Sequence, residues 1–439
     1  MAETDDVPEL SGGQRRTVLA AAFVGWMFAG FEIALFVLIH RAAMQDLLGA
    51  TTEERDITLW FARYQAAFLF GAAAGGWLFG WLGDRRGRTW SLAMSVLCYS
   101  TFTGASYVAE TPEQLLVLRF LACLGVGGAW PNTMALVAEA WPGASRPLLA
   151  GVLGTAANVG QVLMGGLGLM SAVAPGSWRW VLLAGAAPAL IGAWCLTSVP
   201  ESVRWLRARR AARSDSADPL KELLQPPLRG RLIMGVLLGA VPVIGTAANA
   251  QWIVPWSDQA AGKAAAALPG DATAGSAAAR GRTAQKSKAW TIVSRSSGAV
   301  LGSLLGGLLA ALLGRRTTYF LISLLSLAAS TIVFGRMHPL DPGFYAASFA
   351  FGLIGVIYFG WLPLYLPELF PTRVRATGAG ISFNSGRVVA AIVVLGTSSL
   401  LQAFGGDYAR IGLWTGMIYA LGMIIVLFAP RTDSASLGD

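Results

Sequence analysis

The stretch GGWLFGWLGDRRGRTW (residues 75–90) is echoed by GSLLGGLLAALLGRRTTY (302–319), which begins 227 positions later. Both are apolar and glycine-rich, and both carry a pair of arginines after a glycine near the end. A second phrase, VAEAWPGASR (137–146), returns as YLPELFPTRVR (365–375), with the shared glutamates 229 positions apart. Each version closes an apolar run with Glu, an aromatic residue, Pro and Arg. The order of these matches indicates that one unit occurs twice in the chain.

A third match sets NVGQ (158–161) against NSGR (384–387), which begins 226 positions later. Three matches in one order at nearly one offset are the pattern of an internal duplication. Duplicated membrane units with a ligand site between them are typical of alternating-access transporters. The repeat therefore predicts two similar halves with a site at their interface.

The composition places these halves in a membrane. The 439 residues are 55% hydrophobic and only 13% charged, whereas soluble domains carry roughly 25% charged residues. Apolar runs long enough to cross a bilayer as helices recur twelve times, at about 17–40, 59–82, 89–109, 114–138, 147–172, 178–199, 231–256, 289–313, 317–335, 342–365, 376–401 and 408–429. The predicted fold class is an all-α polytopic membrane protein, with twelve transmembrane helices in two pseudo-symmetric six-helix bundles.

Charged loops divide the chain further. We expect an N-terminal tail (1–16), a first bundle (17–199), a charged linker (200–230), a second bundle (231–430) and a C-terminal tail (431–439). Within the second bundle we expect a flexible Ala/Gly-rich loop on the outside (257–288). Lys and Arg favour the loops on the side of both tails, which predicts cytoplasmic termini in the inner membrane. The net charge of +9 then reflects topology, and no nucleic-acid partner is expected.

Several motifs resemble those of the major facilitator superfamily over nearly the whole chain. GWLGDRRGR (80–88) is similar to the loop signature of that superfamily, RFLACLGVGG (119–128) to its fourth-helix pattern, and VPESVRWL (199–206) to the sugar-porter branch. The run from 365 to 387 is most similar to symporters of organic anions with protons, as is GWMFAGFE (25–32). The sequence departs from these patterns at Ala29, Glu32 and Ala129.

Four ionisable side chains fall well inside the apolar spans: Glu32, Arg119, Arg295 and Arg387. Such groups are costly in lipid unless they face a cavity or a partner. In the fold that the resemblance implies, their helices line or border the central cavity. The polar residues Asn158, Gln161, Asn249, Gln251 and Asn384 join them. Because arginine binds carboxylates in a planar, bidentate manner, three arginines against one glutamate predict a small anionic substrate.

Each role has an alternative. Arg387 is the expected substrate anchor, whereas Arg119 could brace the first helix and Arg295 could extend towards the outer surface. Glu32 is either the proton carrier or the ion-pair partner of an arginine. Three aromatic residues could stack on a ligand ring or serve only as packing: Trp26, Tyr358 and Trp361.

The repeated loop motifs predict a gate at the cytoplasmic side. Asp84 could accept hydrogen bonds from the positive N-terminus of the eleventh span, and Arg85 and Arg88 could pair with Glu139 or Glu201. The remaining gating residues are Arg146 and the mirrored set of Glu368, Arg373 and Arg375.

The predicted function is secondary active transport by alternating access, with proton-coupled import of a small organic carboxylate. A uniporter or symporter of a sugar or another neutral or cationic metabolite is the alternative, and a transport-dead receptor is a second one. No Walker motif is present, so an ion gradient supplies the energy and no cofactor is expected; the chain is expected to act as a monomer. A membrane enzyme is disfavoured because His40 and His338 lie outside any nucleophile–base motif.

Overall fold

The computed structural model of the chain describes residues 9–49, 52–141, 146–211, 219–267, 274–371 and 374–432. Within these ranges the regular structure is helical, with sixteen α-helices. The helices of the first half are α1 (Gly12–Leu47), α2 (Glu54–Arg86), α3 (Arg88–Ala105), α4 (Pro112–Ala140), α5 (Arg146–Met170), α6 (Trp180–Ala186) and α7 (Ala189–Ser198).

Two short helices, α8 (Val203–Ala211) and α9 (Pro219–Leu223), lie in the predicted linker. The second half comprises α10 (Leu228–Ile244), α11 (Ile253–Ala266), α12 (Ala274–Leu313), α13 (Arg315–Arg336), α14 (Phe344–Glu368), α15 (Arg375–Ala403) and α16 (Tyr408–Leu427). The end of the molecule that carries α8 and α9 is called the linker end below, and the opposite end, where α1 finishes, is called the far end.

Eleven helical segments in the described residues are long and apolar enough to cross a membrane. Two of them are composite, since α6 continues into α7 and α10 continues into α11. The remaining predicted span corresponds to α3, which is less apolar because it contains the buried residues Ser91, Ser95, Ser100 and Thr103. The helices agree with the predicted fold class of twelve membrane helices.

The two halves repeat each other's packing. In the first half α2 packs on α4, α3 on α7 and α1 on α5; in the second half α12 packs on α14, α13 on α16 and α10 on α15. Glycines allow the closest of these contacts. A Cβ atom at Gly75 would lie 1.9 Å from the carbonyl oxygen of Leu124, and one at Gly302 would lie 2.0 Å from that of Leu353. Small residues at helix interfaces are what membrane bundles need for tight packing.

The halves meet along two flanks. On one flank α5 packs against α12, and on the other α2 packs against α15. Between them the segment that joins α10 to α11 leaves the α-helical path, with a π-helical turn at Gly245–Asn249 and a 3-10 turn at Ala250–Trp252. Such irregular turns at membrane depth are tolerated where they line a cavity or are buried in protein.

The prediction of a flexible loop over 257–288 is wrong for most of its length. Residues up to Ala266 belong to α11, and those from Ala274 belong to α12. Alanine has the highest helix propensity, so the Ala-rich composition that suggested flexibility also favours helix. Asp258 and Lys288, which were assigned to this loop, are both buried.

Contacts between the halves concentrate at the far end. The Arg41 guanidinium on α1 donates to the Asp258 carboxylate on α11 at 2.5 Å. The Gln285 side chain on α12 accepts from the backbone N–H of Val173 at 2.8 Å, and the hydroxyls of Thr58 and Tyr408 are 3.0 Å apart. In the described part of the chain, these contacts close the far end of the interface.

Candidate functional site

A central cavity of about 510 Å³ lies between the halves and extends towards the linker end as far as Pro131, Pro367 and Gly380. Its size is within the range of pockets that hold small molecules. Seven of the predicted substrate-binding residues line it: Trp26, Asn158, Gln161, Gln251, Arg295, Asn384 and Arg387. The polar residues of the repeated segments NVGQ and NSGR therefore line the same cavity.

Arg387 enters the cavity from α15, on the flank where α15 packs against α2. Its guanidinium donates to the carbonyl oxygen of Ala72 at 3.0 Å and to the side-chain oxygen of Asn384 at 3.3 Å. It also lies 4.7 Å from the ring centroid of Phe383, within cation–π distance. Both donated bonds come from one terminal nitrogen, so most of the N–H groups of this guanidinium remain available to a ligand.

Arg295 enters from α12, on the opposite flank, where α12 packs against α5. Its one hydrogen bond among the described residues is a long one of 3.4 Å to the side-chain oxygen of Gln161. The side chain is 9% exposed, and its Nε is buried without a partner. A buried, incompletely paired cation is costly, which makes Arg295 a group that would gain from an anion.

The charge of the cavity is one-sided. Among the described residues that line it there are two arginines and no aspartate or glutamate. Neither Arg295 nor Arg387 forms an ion pair with a described carboxylate, since their protein partners are a carbonyl oxygen and two amide oxygens. The cavity is therefore electropositive.

The cavity walls are largely apolar and aromatic. Trp26 faces Trp130 with ring centroids 5.0 Å apart, and the wall continues through Phe68, Phe351, Phe359, Phe383 and Tyr419. Two further residues line the cavity that were not predicted from the sequence. Gln65 lines the cavity without a hydrogen bond to any described residue, and Trp130 follows the position of Ala129 in the fourth-helix motif. Trp130 could have been predicted from its place directly after the fourth-helix motif, whereas no motif marks Gln65.

Arg119 is not among the cavity-lining residues, contrary to one of its two predicted roles. Its guanidinium is 4% exposed and forms an ion pair with Glu32 at 2.7 Å, and it also donates to the Glu32 backbone carbonyl at 3.2 Å. The pair joins α4 to α1 inside the first half. One oxygen of Glu32 and the Nε of Arg119 are buried without partners. The alternative prediction, that Arg119 braces the first helix, describes this arrangement.

Tyr358 and Trp361 also lie outside the cavity lining in this structure, and their contacts are those of the packing alternative. Tyr358 donates to the Ser323 hydroxyl at 2.7 Å, and Trp361 donates to the backbone carbonyl of Arg315 at 2.9 Å. Both rings pack on Tyr319 inside the second half. They face α13 because their helix, α14, buries that side against it.

Asn249 likewise faces away from the cavity. It donates to the Gly412 carbonyl at 2.6 Å and accepts from Ser330 at 3.1 Å, which ties the π-helical turn to α16 and α13. These bonds hold the irregular turn against its two neighbouring helices, and they use the side chain of Asn249 within the second half.

The predicted gating residues of the first half form a cluster at the linker end. Arg88 pairs with Asp84 one turn earlier, and its Nε lies 3.4 Å from Glu139. Glu201 forms no ion pair with the side chain of Arg85 or Arg88, its predicted partners. Its carboxylate accepts from the backbone N–H groups of Arg88 at 2.9 Å and Thr89 at 3.1 Å, at the positive N-terminus of α3.

Arg85 lies over the ring of Trp81 at 4.4 Å and pairs with neither predicted glutamate. In the second half Glu368 accepts from Arg315 at 2.8 Å. Arg373 and the side chains of Arg146 and Arg375 lie outside the described residues. Each described ion pair of these clusters stays within one half of the molecule.

Comparisons with known proteins agree with this architecture. The family model described as "Sugar (and other) transporter" matches residues 17–233 and 341–438. A protein of Cupriavidus pinatubonensis named "Probable 4-methylmuconolactone transporter" is 27% identical over 97% of this chain and 92% of its own length. The cis,cis-muconate transport protein of Acinetobacter baylyi is 27% identical over 82% of this chain and 83% of its own.

A solved structure shares the fold. The inward open conformation of the xylose transporter XylE from E. coli has a TM-score of 0.70 with this chain, at 17% sequence identity, and the match covers 96% of this chain and 98% of that one. At this identity the likeness concerns the fold alone.

Proposed function

Because this chain belongs to the sugar (and other) transporter family of the major facilitator superfamily, we propose that it imports a small organic carboxylate together with protons, by alternating access. It is a multi-pass membrane transporter and not an enzyme. The family does not specify the substrate or the coupling ion, so the proposals of a carboxylate and of protons are argued from the residues of the site.

The observation that carries the proposal is the electropositive cavity. Arg295 and Arg387 line it without carboxylate partners, and no described acidic residue lines it with them. Guanidinium groups in a largely apolar site bind carboxylates through short, charge-assisted hydrogen bonds. A sugar or a cation would leave both positive charges uncompensated, so a neutral or cationic substrate fits this site less well.

The relatives support the same class of substrate. Two of them are named as transporters of 4-methylmuconolactone and cis,cis-muconate, and muconate is an unsaturated carboxylate. An aromatic wall that includes Trp26 and Trp130 is suited to a flat, conjugated body. The proposed substrate class is thus a planar organic anion.

The proposed transport cycle uses the two ends of the molecule. We place the linker end and both termini on the cytoplasmic side of the inner membrane, because Lys and Arg favour the loops on that side. In this structure the far end is closed by contacts such as Arg41 with Asp258, and the cavity extends towards the linker end. The arrangement corresponds to a conformation that faces the cytoplasm.

The proposed proton site is Glu32. It is buried and paired with Arg119, and neither residue is among those that line the cavity. Protonation of Glu32 would release Arg119, so the two charge states would favour different packing of α1 against α4. We propose that the ion gradient supplies the energy without a bound cofactor, and that the chain acts as a monomer.

The experiment is uptake into proteoliposomes with an imposed pH gradient, using carboxylates, sugars and organic cations as candidate substrates. We expect accumulation of a carboxylate that collapses when the gradient is dissipated by a protonophore. Accumulation of a sugar or a cation, with no uptake of any carboxylate, would overturn the proposal. Carboxylate uptake that is indifferent to the gradient would retain the substrate class and remove the proton coupling.

A further inference from the structure

The two cavity arginines stand on opposite flanks of the interface between the halves. Arg387 on α15 is bonded to the backbone of α2 through Ala72. Arg295 on α12 is bonded to α5 through Gln161. The α2–α15 and α5–α12 contacts are the two most extensive packing contacts between the halves. A ligand in the cavity between them therefore meets one cation at each side.

Each guanidinium has unused donors. An arginine has five N–H groups, and both bonds from Arg387 use one terminal nitrogen. Arg295 makes one long bond, and its Nε has no partner. A single carboxylate is small enough to be held by one guanidinium in a bidentate manner. A monocarboxylate would consequently leave the other arginine unneutralised in a largely apolar cavity.

The space between the arginines suits a flat, apolar body with polar edges. Aromatic rings from both halves contribute, including Trp26 and Trp130 from the first and Phe351 and Phe383 from the second. The amides of Gln65, Gln161 and Gln251 also line the cavity and can donate to carboxylate oxygens that the arginines leave free.

From this geometry we propose that the substrate is a dicarboxylate with a conjugated or aromatic body, which Arg387 binds at one end and Arg295 binds at the other. The inference rests on the proposed function, since it specifies the carboxylate that the same cavity takes. It adds that two anionic groups are needed, one for each flank, so that binding neutralises both arginines and connects the two interfaces of the halves.

The test compares matched probes that differ in one carboxylate. trans,trans-Muconate is a butadiene with a carboxylate at each end, and sorbate has a methyl group in place of one of the two carboxylates. Terephthalate and benzoate form a second pair. Affinities are measured by isothermal titration on the purified full-length protein. We expect each dicarboxylate to bind at least tenfold more tightly than its monocarboxylate partner.

The variants Arg295→Gln and Arg387→Gln assign the two ends. We expect each to reduce dicarboxylate affinity by at least tenfold and to remove the preference for two carboxylates. Arg63→Gln is the control, because Arg63 lies over Trp60 at 4.6 Å and is not among the residues that line the cavity. Thermal unfolding of all three variants reports whether they are folded.

Outcomes that overturn the inference differ from those that overturn the proposed function. Equal affinity for mono- and dicarboxylates in the unmodified protein, or a dicarboxylate affinity that Arg295→Gln leaves intact, would show that one arginine suffices. The protein would then still be a carboxylate transporter. Binding of sugars or cations with no binding of any carboxylate would instead remove the proposed function, and this inference with it.

A second inference comes from the far end, where four buried or half-buried charges meet. Arg41 bridges Glu54 of its own half, at 2.7 and 2.8 Å, and Asp258 of the other half, at 2.5 Å. Lys288 lies 3.6 Å from Asp258 within the second half. We call Arg41, Glu54, Asp258 and Lys288 the far-end cluster.

The far-end cluster divides into two neutral pairs. If the halves separate at this end, Arg41 keeps Glu54, and Asp258 keeps Lys288. Breaking a buried ion pair is costly chiefly when it leaves a charge uncompensated. We infer that the far-end cluster is a partner-exchanging latch, which holds the far end closed through the Arg41–Asp258 contact and opens without leaving an unpaired charge.

The latch predicts opposite effects for two substitutions. Asp258→Asn weakens the contact between the halves, so we expect a far end that is open more often. Lys288→Met leaves Asp258 dependent on Arg41, so we expect a far end that is open less often and transport that is at least several-fold slower. Labelling rates of a cysteine that replaces Gln65, on the cavity wall, report the opening from outside. Shifts in the same direction for both variants would contradict the latch.

Discussion

Gln161 on α5 and Arg387 on α15 occupy equivalent places in the two halves. Gln161 donates to the side-chain oxygen of Asn158 at 3.3 Å, and Arg387 donates to the side-chain oxygen of Asn384, also at 3.3 Å. Each asparagine in turn donates to the carbonyl oxygen four residues earlier, at 3.1 Å in the first half and 3.0 Å in the second. The duplicated site therefore keeps its hydrogen bonds and differs in charge.

This asymmetry leads to a prediction about Gln161. Gln161→Arg would place a second cation next to Arg295, which now donates to the Gln161 amide at 3.4 Å. The lost acceptor and the added repulsion should cost roughly 1–3 kcal/mol of stability. We expect a lower thermal unfolding midpoint that a bound carboxylate substrate partly restores. An unchanged midpoint would mean that the two side chains do not interact in the folded protein.

The ion pair of Glu32 with Arg119 predicts how coupling fails. Glu32→Gln keeps the shape of the side chain and removes its titration. We expect pH-driven accumulation to be lost while exchange of substrate across the membrane continues, because exchange requires no net proton movement. Glu110→Gln is a suitable control, since Glu110 is exposed at the far end. Undiminished pH-driven uptake in Glu32→Gln would move the proton site to another group.

The cluster at the linker end predicts an effect on turnover. Asp84 pairs with Arg88 in this structure, where its side chain is 69% exposed, and we expect it to meet the N-terminus of α15 when this end closes. Asp84→Asn should slow transport at least several-fold and leave substrate affinity within a few-fold. Asp56→Asn, an exposed substitution at the far end, controls for charge. Loss of affinity with normal turnover would show that Asp84 is not a gating residue.

Topology can be tested by labelling. A cysteine that replaces Lys263, exposed near the end of α11, should react with an impermeant maleimide added outside intact cells. A cysteine that replaces Arg229, exposed at the start of α10, should react only after permeabilisation. The native cysteines provide the background, since Cys123 and Cys195 are buried. The reverse pattern would place both termini outside.

Much of the fold could be predicted from the sequence because membrane helices are specified by long apolar runs, and the repeat fixes which helices correspond. The cavity residues Asn158, Gln161, Asn384 and Arg387 were predictable for the same reason, since they occur in the repeated segments. For the NVGQ and NSGR segments, the structure places all four of these residues on the cavity wall.

The contacts of other residues could be learned only from the structure. The sequence of an apolar helix does not show which neighbouring helix or cavity a given polar side chain faces. Arg119 and Glu32 are 87 positions apart, and only packing of α4 on α1 brings them together. Tyr358 turns to α13, and Gln65 turns to the cavity. The prediction of a flexible loop over 257–288 failed because an Ala-rich composition also favours helix. The two buried charges of this segment, Asp258 and Lys288, form an ion pair with each other.

The most direct test of the account is the affinity of the transported carboxylate for the Arg387→Gln variant, which restores the symmetry of the repeat. Isothermal titration on folded protein should show binding weakened by well over tenfold, since loss of a buried charge contact costs about 2–5 kcal/mol. Arg387→Lys should recover only part of it, because a point charge cannot form the bidentate contact. Affinity equal to that of the unmodified protein in Arg387→Gln would contradict a carboxylate site in this cavity.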